Sequence, residues 1–99
     1  MFSMKVIGKD KLDAFGKGDI AARKDLAAWL KIVQEADWRH FIDVRKTIPK
    51  ASGAARGNAT VFDICHGQFR LITIIDYQIK TVLIKEFLTH KAYDRWNKG

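Results

Sequence analysis

The chain is poor in cysteine and proline, with one of each, Cys65 and Pro49, and it carries eleven acidic residues against eighteen basic ones in 99 positions. One thiol cannot build a disulfide framework, so a hydrophobic core must hold the fold, which fits a reducing compartment and would also fit a cysteine-poor secreted protein. No apolar run reaches the roughly 20 residues that a membrane-spanning helix needs. The opening M-F-S-M-K-V-I-G-K-D meets charge too early for the apolar core of a signal peptide. The expectation is a cytoplasmic protein with no membrane association. Phosphate-loop and dinucleotide-binding glycine motifs are missing. Cys65-His66, even taken with His40 and His90, lacks the ligand spacing of a zinc site. Neither a metal nor any other cofactor is therefore expected, and Cys65 reads as a small core residue. There is no internal repeat and no low-complexity stretch.

What is present suits one modest core. Hydrophobic residues make up 47% of the chain and charged residues 29%, enough apolar surface to offset the entropy of ordering. At this length a single domain spanning residues 1–99 is expected. The basic excess is uneven: residues 1–40 hold eight Lys/Arg against six Asp/Glu, and residues 41–99 hold ten against five. A positive field of this kind concentrates polyanions such as RNA, DNA, anionic lipid or an acidic protein segment, and it also aids solubility.

Periodicity outlines the elements. Met4 to Ile7 is a short apolar segment suited to a first strand, and Leu12 and Phe15 have helical spacing within Lys9 to Phe15, closed by Gly16 and Gly18. From Asp19, an N-cap type, Ala22, Leu26, Trp29, Leu30, Val33 and Ala36 follow the i, i+3, i+4, i+7 pattern of an amphipathic helix. Trp38, Phe41, Ile42 and Val44 form a shorter apolar group that stops at Ile48-Pro49, since proline disfavours the α conformation in the residue before it. The stretch from Pro49 to Asn58 is rich in small residues and turn formers, carries Lys50 and Arg56, and reads as a mobile loop. Thr60 to Cys65, Phe69 to Tyr77 and Thr81 to Leu88 are rich in β-branched and aromatic residues and read as a three-stranded antiparallel meander. The middle run, apolar on both faces, belongs at the centre. His90 to Trp96 closes the chain as a short helix with Thr89 as its cap.

Chemistry gathers near the end. Arg70 falls on the strand face of Ile72 and Ile74, and alternation assigns Lys85 to the face of Leu83 and Phe87. Such cations either reach the sheet rim, pair with a carboxylate such as Asp63, Asp76 or Glu86, or line an anion site. His90, Lys91, Tyr93 and Asp94 follow directly in T-H-K-A-Y-D. Cleaving RNA without a metal needs a base for the 2′-hydroxyl proton, a cation at the phosphate and an acid for the leaving 5′-oxygen. His90 can serve as base or acid, and Tyr93, Arg70 and Lys85 can supply donors. A histidine beside a helix start is also an ordinary surface residue, so the residue types alone leave both readings open.

The ordered motifs V-I-x-K, A-D-W (Ala36 to Trp38), V-F-D-I (Val61 to Ile64), F-R-L-I (Phe69 to Ile72) and I-K-E-F-L-T-H-K-A-Y-D (Ile84 to Asp94) resemble the HigB family of toxins over about Val6 to Asp94. The resemblance implies an α+β, RelE-like fold with N-terminal helices on a small antiparallel sheet, a C-terminal three-stranded meander and a short terminal helix. It implies an mRNA endonuclease, a type II toxin acting at the translating ribosome, and a HigA-like helix-turn-helix antitoxin through which operator DNA is bound. Carried over residue by residue, it assigns Arg70, Lys85, His90 and Tyr93 to catalysis; the basic residues Arg56, in the small-residue loop, and Lys91, beside His90, are expected to add RNA contacts of their own. Two departures stand out: Ala59 replaces a basic residue, and His66-Gly67 replaces a Gly-Asn-like turn. A non-catalytic RNA- or ribosome-binding module is the alternative, and a structural protein holding an acidic partner is a third. The catalytic reading requires His90 and Tyr93 to meet Arg70 and Lys85 on one face of the meander.

Overall fold

The structure is a computed structural model that describes residues 3–54 and 57–98. Its elements in chain order are β1 (Lys5–Ile7), α1 (Lys9–Phe15), α2 (Ile20–Glu35), α3 (Phe41–Thr47), β2 (Ser52–Gly53), β3 (Ala59–Ile64), β4 (Phe69–Asp76), β5 (Thr81–Thr89) and α4 (His90–Lys98). The five strands form one sheet in the order β1-β5-β4-β3-β2, so the apolar run of β4 is its middle strand. This is an α+β arrangement of helices on a small sheet with a C-terminal meander and terminal helix, as the resemblance implies.

Local chemistry sets the helix boundaries. The Asp19 carboxylate accepts from the Ala22 N–H at 3.0 Å and caps α2, whose buried stripe of Ala22, Leu26, Trp29 and Val33 follows the expected spacing. α3 is only two turns long, and Phe41 and Val44 turn inward three residues apart. Ile42 lies a third of a turn away and is 65% exposed, so the apolar group around it is narrower than its composition suggests. Trp38 precedes α3 and is buried, with its indole N–H donating to Thr47 Oγ1 at 3.1 Å. Lys80 fastens the same corner by pairing with Asp37 at 2.8 Å and donating to the Trp38 carbonyl at 3.0 Å.

The sheet departs from the expectation in three places. First, it is mixed: β1 lies parallel to β5, with Val6 opposite Val82, while the other pairs are antiparallel. Parallel pairing needs a long crossover, and here the whole chain from α1 through β4 supplies it. Second, the segment read as a mobile loop contributes β2, a two-residue strand with Ser52 opposite Val61, beside a buried Ala51. Arg56 lies outside the described residues. Third, β5 contains a bulge: Ile72 faces Glu86 but Thr73 faces Ile84, leaving Lys85 as the extra residue. Alternation therefore breaks at Lys85, and Leu83 and Phe87 point to opposite faces instead of sharing one.

The two faces have different cover. Helices α1, α2 and α3 pack on one, where Trp29 meets Phe62 edge-on at 5.3 Å and Phe15, Phe87 and Phe69 stack in a row. The other face is a thin cluster of Ala59, Val61 and Ile72, against which α4 lays Tyr93 and Trp96.

Candidate active site

Arg70 stands at the start of β4, directly across from Asp63 on β3. Its Nε lies 3.3 Å from Asp63 Oδ1, and Nη1 donates to the Gly67 carbonyl in the β3–β4 turn. The guanidinium then passes over the Tyr93 ring, 5.8 Å from its centroid, a cation–π distance. Three holds on a side chain only 17% exposed leave it little freedom to swing. Gly67 makes the hold possible. Its φ is +89°, and a Cβ there would come within 3.1 Å of Arg70 Nη1, so a larger residue would be both strained and crowded.

Tyr93 is carried by α4, whose start is fixed twice. Thr89 Oγ1 accepts from the Ala92 N–H at 3.1 Å, the expected cap, and the His90 N–H donates to the Gln68 carbonyl at 3.1 Å, tying the helix to the β3–β4 turn. Tyr93 stacks on Trp96 at 5.9 Å. Burial pushes the Tyr93 hydroxyl above the ordinary tyrosine range, with Asp94 and Asp63 adding to the rise and Arg70 opposing it. Tyr93 is thus a proton-bearing donor throughout the physiological range.

His90 occupies the first turn of α4, one turn before Asp94, and its Nδ1 lies 3.5 Å from Asp94 Oδ2. With Nδ1 on the Asp94 side, Nε2 lies across the ring and points away from the carboxylate. Both side chains are more than half exposed, so Nε2 is open to a ligand. Lys85, placed by the bulge, borders a small hollow of about 160 Å³ shared with Ile72, Ile74 and Trp96, on the face that Tyr93 covers. Lys91 is exposed on α4 and shares a stripe with Arg95 and Lys98 at i, i+4, i+7 spacing.

Arg70 and Tyr93 are therefore in contact, and Lys85 lies on the same face beside Trp96. His90 pairs with Asp94 and is tied through its backbone to Gln68 in the β3–β4 turn, the turn whose Gly67 carbonyl holds Arg70. The hold of Asp63 on Arg70 was one of the pairings open in the sequence, and the cross-strand register selects it. Glu86 and Trp96 were not read as site residues, because only the bulge and the seat of α4 bring them to Lys85.

A larger open cleft of about 690 Å³ lies between the start of α2 and the β3–β4 turn, bordered by Asp25, Lys50, Asp63, Cys65 and His66. Asp25 accepts from the Cys65 N–H at 2.6 Å, and burial together with Asp25 and Asp19 pushes the Cys65 thiol up, which makes it a poor nucleophile. Carboxylates in this cleft disfavour a polyanion. Among the described residues, no group of three or more His, Cys, Asp or Glu is arranged to hold a metal, and no helix is long and apolar enough to cross a membrane.

The profile of the HigB toxin family, described as the RelE-like toxic component of a toxin-antitoxin system, matches residues 22–96. The chain belongs to the HigB toxin family. Its activity is that of a toxin whose counterpart is an antitoxin. A comparison with individual curated proteins finds no match. The HigB segment contains β3, β4 and β5 entire, with Arg70, Lys85, His90 and Tyr93 inside it.

Proposed function

We propose that this HigB toxin is an endoribonuclease that cleaves mRNA on the translating ribosome by acid–base chemistry without a metal. Arg70 binds a non-bridging oxygen of the scissile phosphate, and Lys85 adds a second positive charge beside it. One proton-transfer group removes the 2′-hydroxyl proton, and the 2′-oxygen attacks phosphorus to form a 2′,3′-cyclic phosphate. The bond to the 5′-oxygen breaks as an acid delivers a proton to it. His90 takes one of these two roles through Nε2, with Asp94 orienting the ring. Tyr93, which keeps its proton, donates to the phosphate or the 2′-oxygen. Arg56 and Lys91 contact the RNA backbone.

The observation that supports this reading most is the seating of the Arg70 guanidinium on Tyr93, on the sheet face that also carries Lys85, with His90 one helical turn before Asp94 at its edge. A preorganised cation next to an un-ionised phenol stabilises phosphoryl charge without rearranging. The partners in this reading are a HigA-like helix-turn-helix antitoxin, which alone carries the pair to operator DNA, and the ribosome in the cytoplasm. Purified toxin incubated with translating ribosomes is expected to leave a 5′-hydroxyl on the downstream fragment and a 2′,3′-cyclic phosphate upstream. A 5′-phosphate would overturn the internal-attack mechanism.

One observation favours a second reading, a binding module that docks on RNA or the ribosome without cutting it. Arg70 already has a carboxylate partner in Asp63, as a structural cation would. Intact RNA under saturating binding, with and without ribosomes, would select that reading.

A further inference from the structure

We propose that the hollow between β4, the β5 bulge and α4 is a nucleobase subsite that seats one unstacked base of single-stranded RNA, its amino-bearing edge turned to Glu86. The inference rests on the reading of this face as an RNA site and adds a source of sequence preference to it.

The bulge carries the case. In a regular strand Lys85 and Glu86 would point to opposite faces, yet here both border the same hollow, because the extra residue turns them together. Ile72 and Ile74 supply apolar surface and Trp96 an aromatic wall, while Asn58, Lys85 and Glu86 supply polar groups around it. A nucleobase needs this combination: flat apolar surface to replace its stacking neighbours, and donors and acceptors at its edge. The hollow adjoins Tyr93, which stacks on Trp96 and lies under Arg70, so a nucleotide bound here is next to the phosphate assigned to Arg70. Lys85 complements the phosphate backbone in charge. Glu86 does not, and a carboxylate in a phosphate-binding surface has a role only where it meets a donor. Adenine, cytosine and guanine each present an exocyclic amine, whereas uracil presents two carbonyl oxygens about its single N–H and is disfavoured by a carboxylate. An aliphatic side chain from a protein partner would fill the hollow and leave Glu86 and Asn58 unmatched.

Intrinsic fluorescence reads the site. Trp29 and Trp38 are 4% and 1% exposed, and Trp96 is only partly buried, so quenching by a short oligonucleotide reports on Trp96. The probes are 2′-O-methylated trinucleotides, which cannot undergo internal attack, identical except for A, C, G or U at the centre. The amino-bearing probes are expected to quench at about tenfold lower concentration than the uracil probe. Glu86→Gln, a change at an exposed position that should not alter melting, is expected to erase most of that difference, and Trp96→Phe to remove the signal. Equal quenching by all four probes, unchanged discrimination in Glu86→Gln, or a signal that survives Trp96→Phe would overturn the subsite. So would quenching by an antitoxin peptide alone, with no response to RNA. Cleavage is scored separately: selective quenching by a protein that never cuts RNA retains the subsite and removes the nuclease reading, and cutting without selective quenching does the reverse.

Discussion

On the face covered by α1, α2 and α3, Trp38, Phe62, Leu71 and Ile84 are at most 1% exposed, whereas α4 contributes no buried residue to the opposite face. The same strands build both. Burial of large aromatic and aliphatic groups on the first face supplies the hydrophobic stabilisation, at roughly 25 cal/mol per Å² of apolar area removed from water. The second face is left with a thin cluster and a single nine-residue helix, and polar groups collect there: Arg70 on Asp63, His90 beside Asp94, Lys85 thrown outward by the bulge. A small domain gains from this division, because charged side chains gathered on one face do not have to be accommodated in the buried core of the other.

Substitutions on the two faces should therefore separate stability from activity. The largest effect is expected from Trp38→Ala, which empties a fully buried site and costs about 3–5 kcal/mol, read as a shift of the denaturant midpoint. That is a large share of the roughly 5–15 kcal/mol available to a domain, so the variant is expected to be partly unfolded. On the other face, Arg70→Ala is expected to slow RNA cleavage about 100- to 1,000-fold, the scale for losing a positioned charge-stabilising donor. Its stability loss should be far smaller than that of Trp38→Ala, because Asp63 is 26% exposed and can regain water. A collapse of melting temperature as large as that of Trp38→Ala would erase the distinction between the faces.

Alkaline pH probes both faces with one type of residue. Burial is the leading cause that raises Tyr77, packed with the helix-side core, and Tyr93 above the ordinary tyrosine value of 10.0. Below that value both groups hold their protons folded and unfolded, and stability is unaffected. Above it the unfolded chain releases its protons first, so stability falls as pH rises through the folded values. Tyr77→Phe and Tyr93→Phe should each flatten part of that slope in pH-dependent denaturation, and only Tyr93→Phe should also reduce cleavage at neutral pH. The smallest expected effect belongs to the outer stripe of α4. Lys91→Ala should lower RNA affinity several-fold and reduce the slope of log affinity against log salt by about one, with melting unchanged.

Much of the fold was legible because its signals are local. The Asp19 cap, the stripe from Ala22 to Val33, the β-branched runs and the Thr89 cap each lie within a few residues of their effect. The parallel seat of β1, the short strand at Ser52 and the bulge at Lys85 were not, since each depends on a partner strand distant in sequence. The site divides in the same way. The i, i+4 spacing of His90 and Asp94 is visible in T-H-K-A-Y-D, but the choice of Asp63 as the partner of Arg70 needed the strand register. Strict alternation put Lys85 with both Leu83 and Phe87, and it failed because one inserted residue reverses the facing of all that follow.

The division between the faces is tested most directly by single-turnover cleavage of a ribosome-bound message with the wild-type toxin and His90→Ala. The His90 side chain is 60% exposed and its ion pair with Asp94 is at the surface, so the melting temperature should stay within error of wild type. Cleavage should slow by about 100-fold or more, the usual contribution of a general acid or base. A folded His90→Ala protein that cuts at the wild-type rate would contradict the assignment of the chemistry to the α4 face.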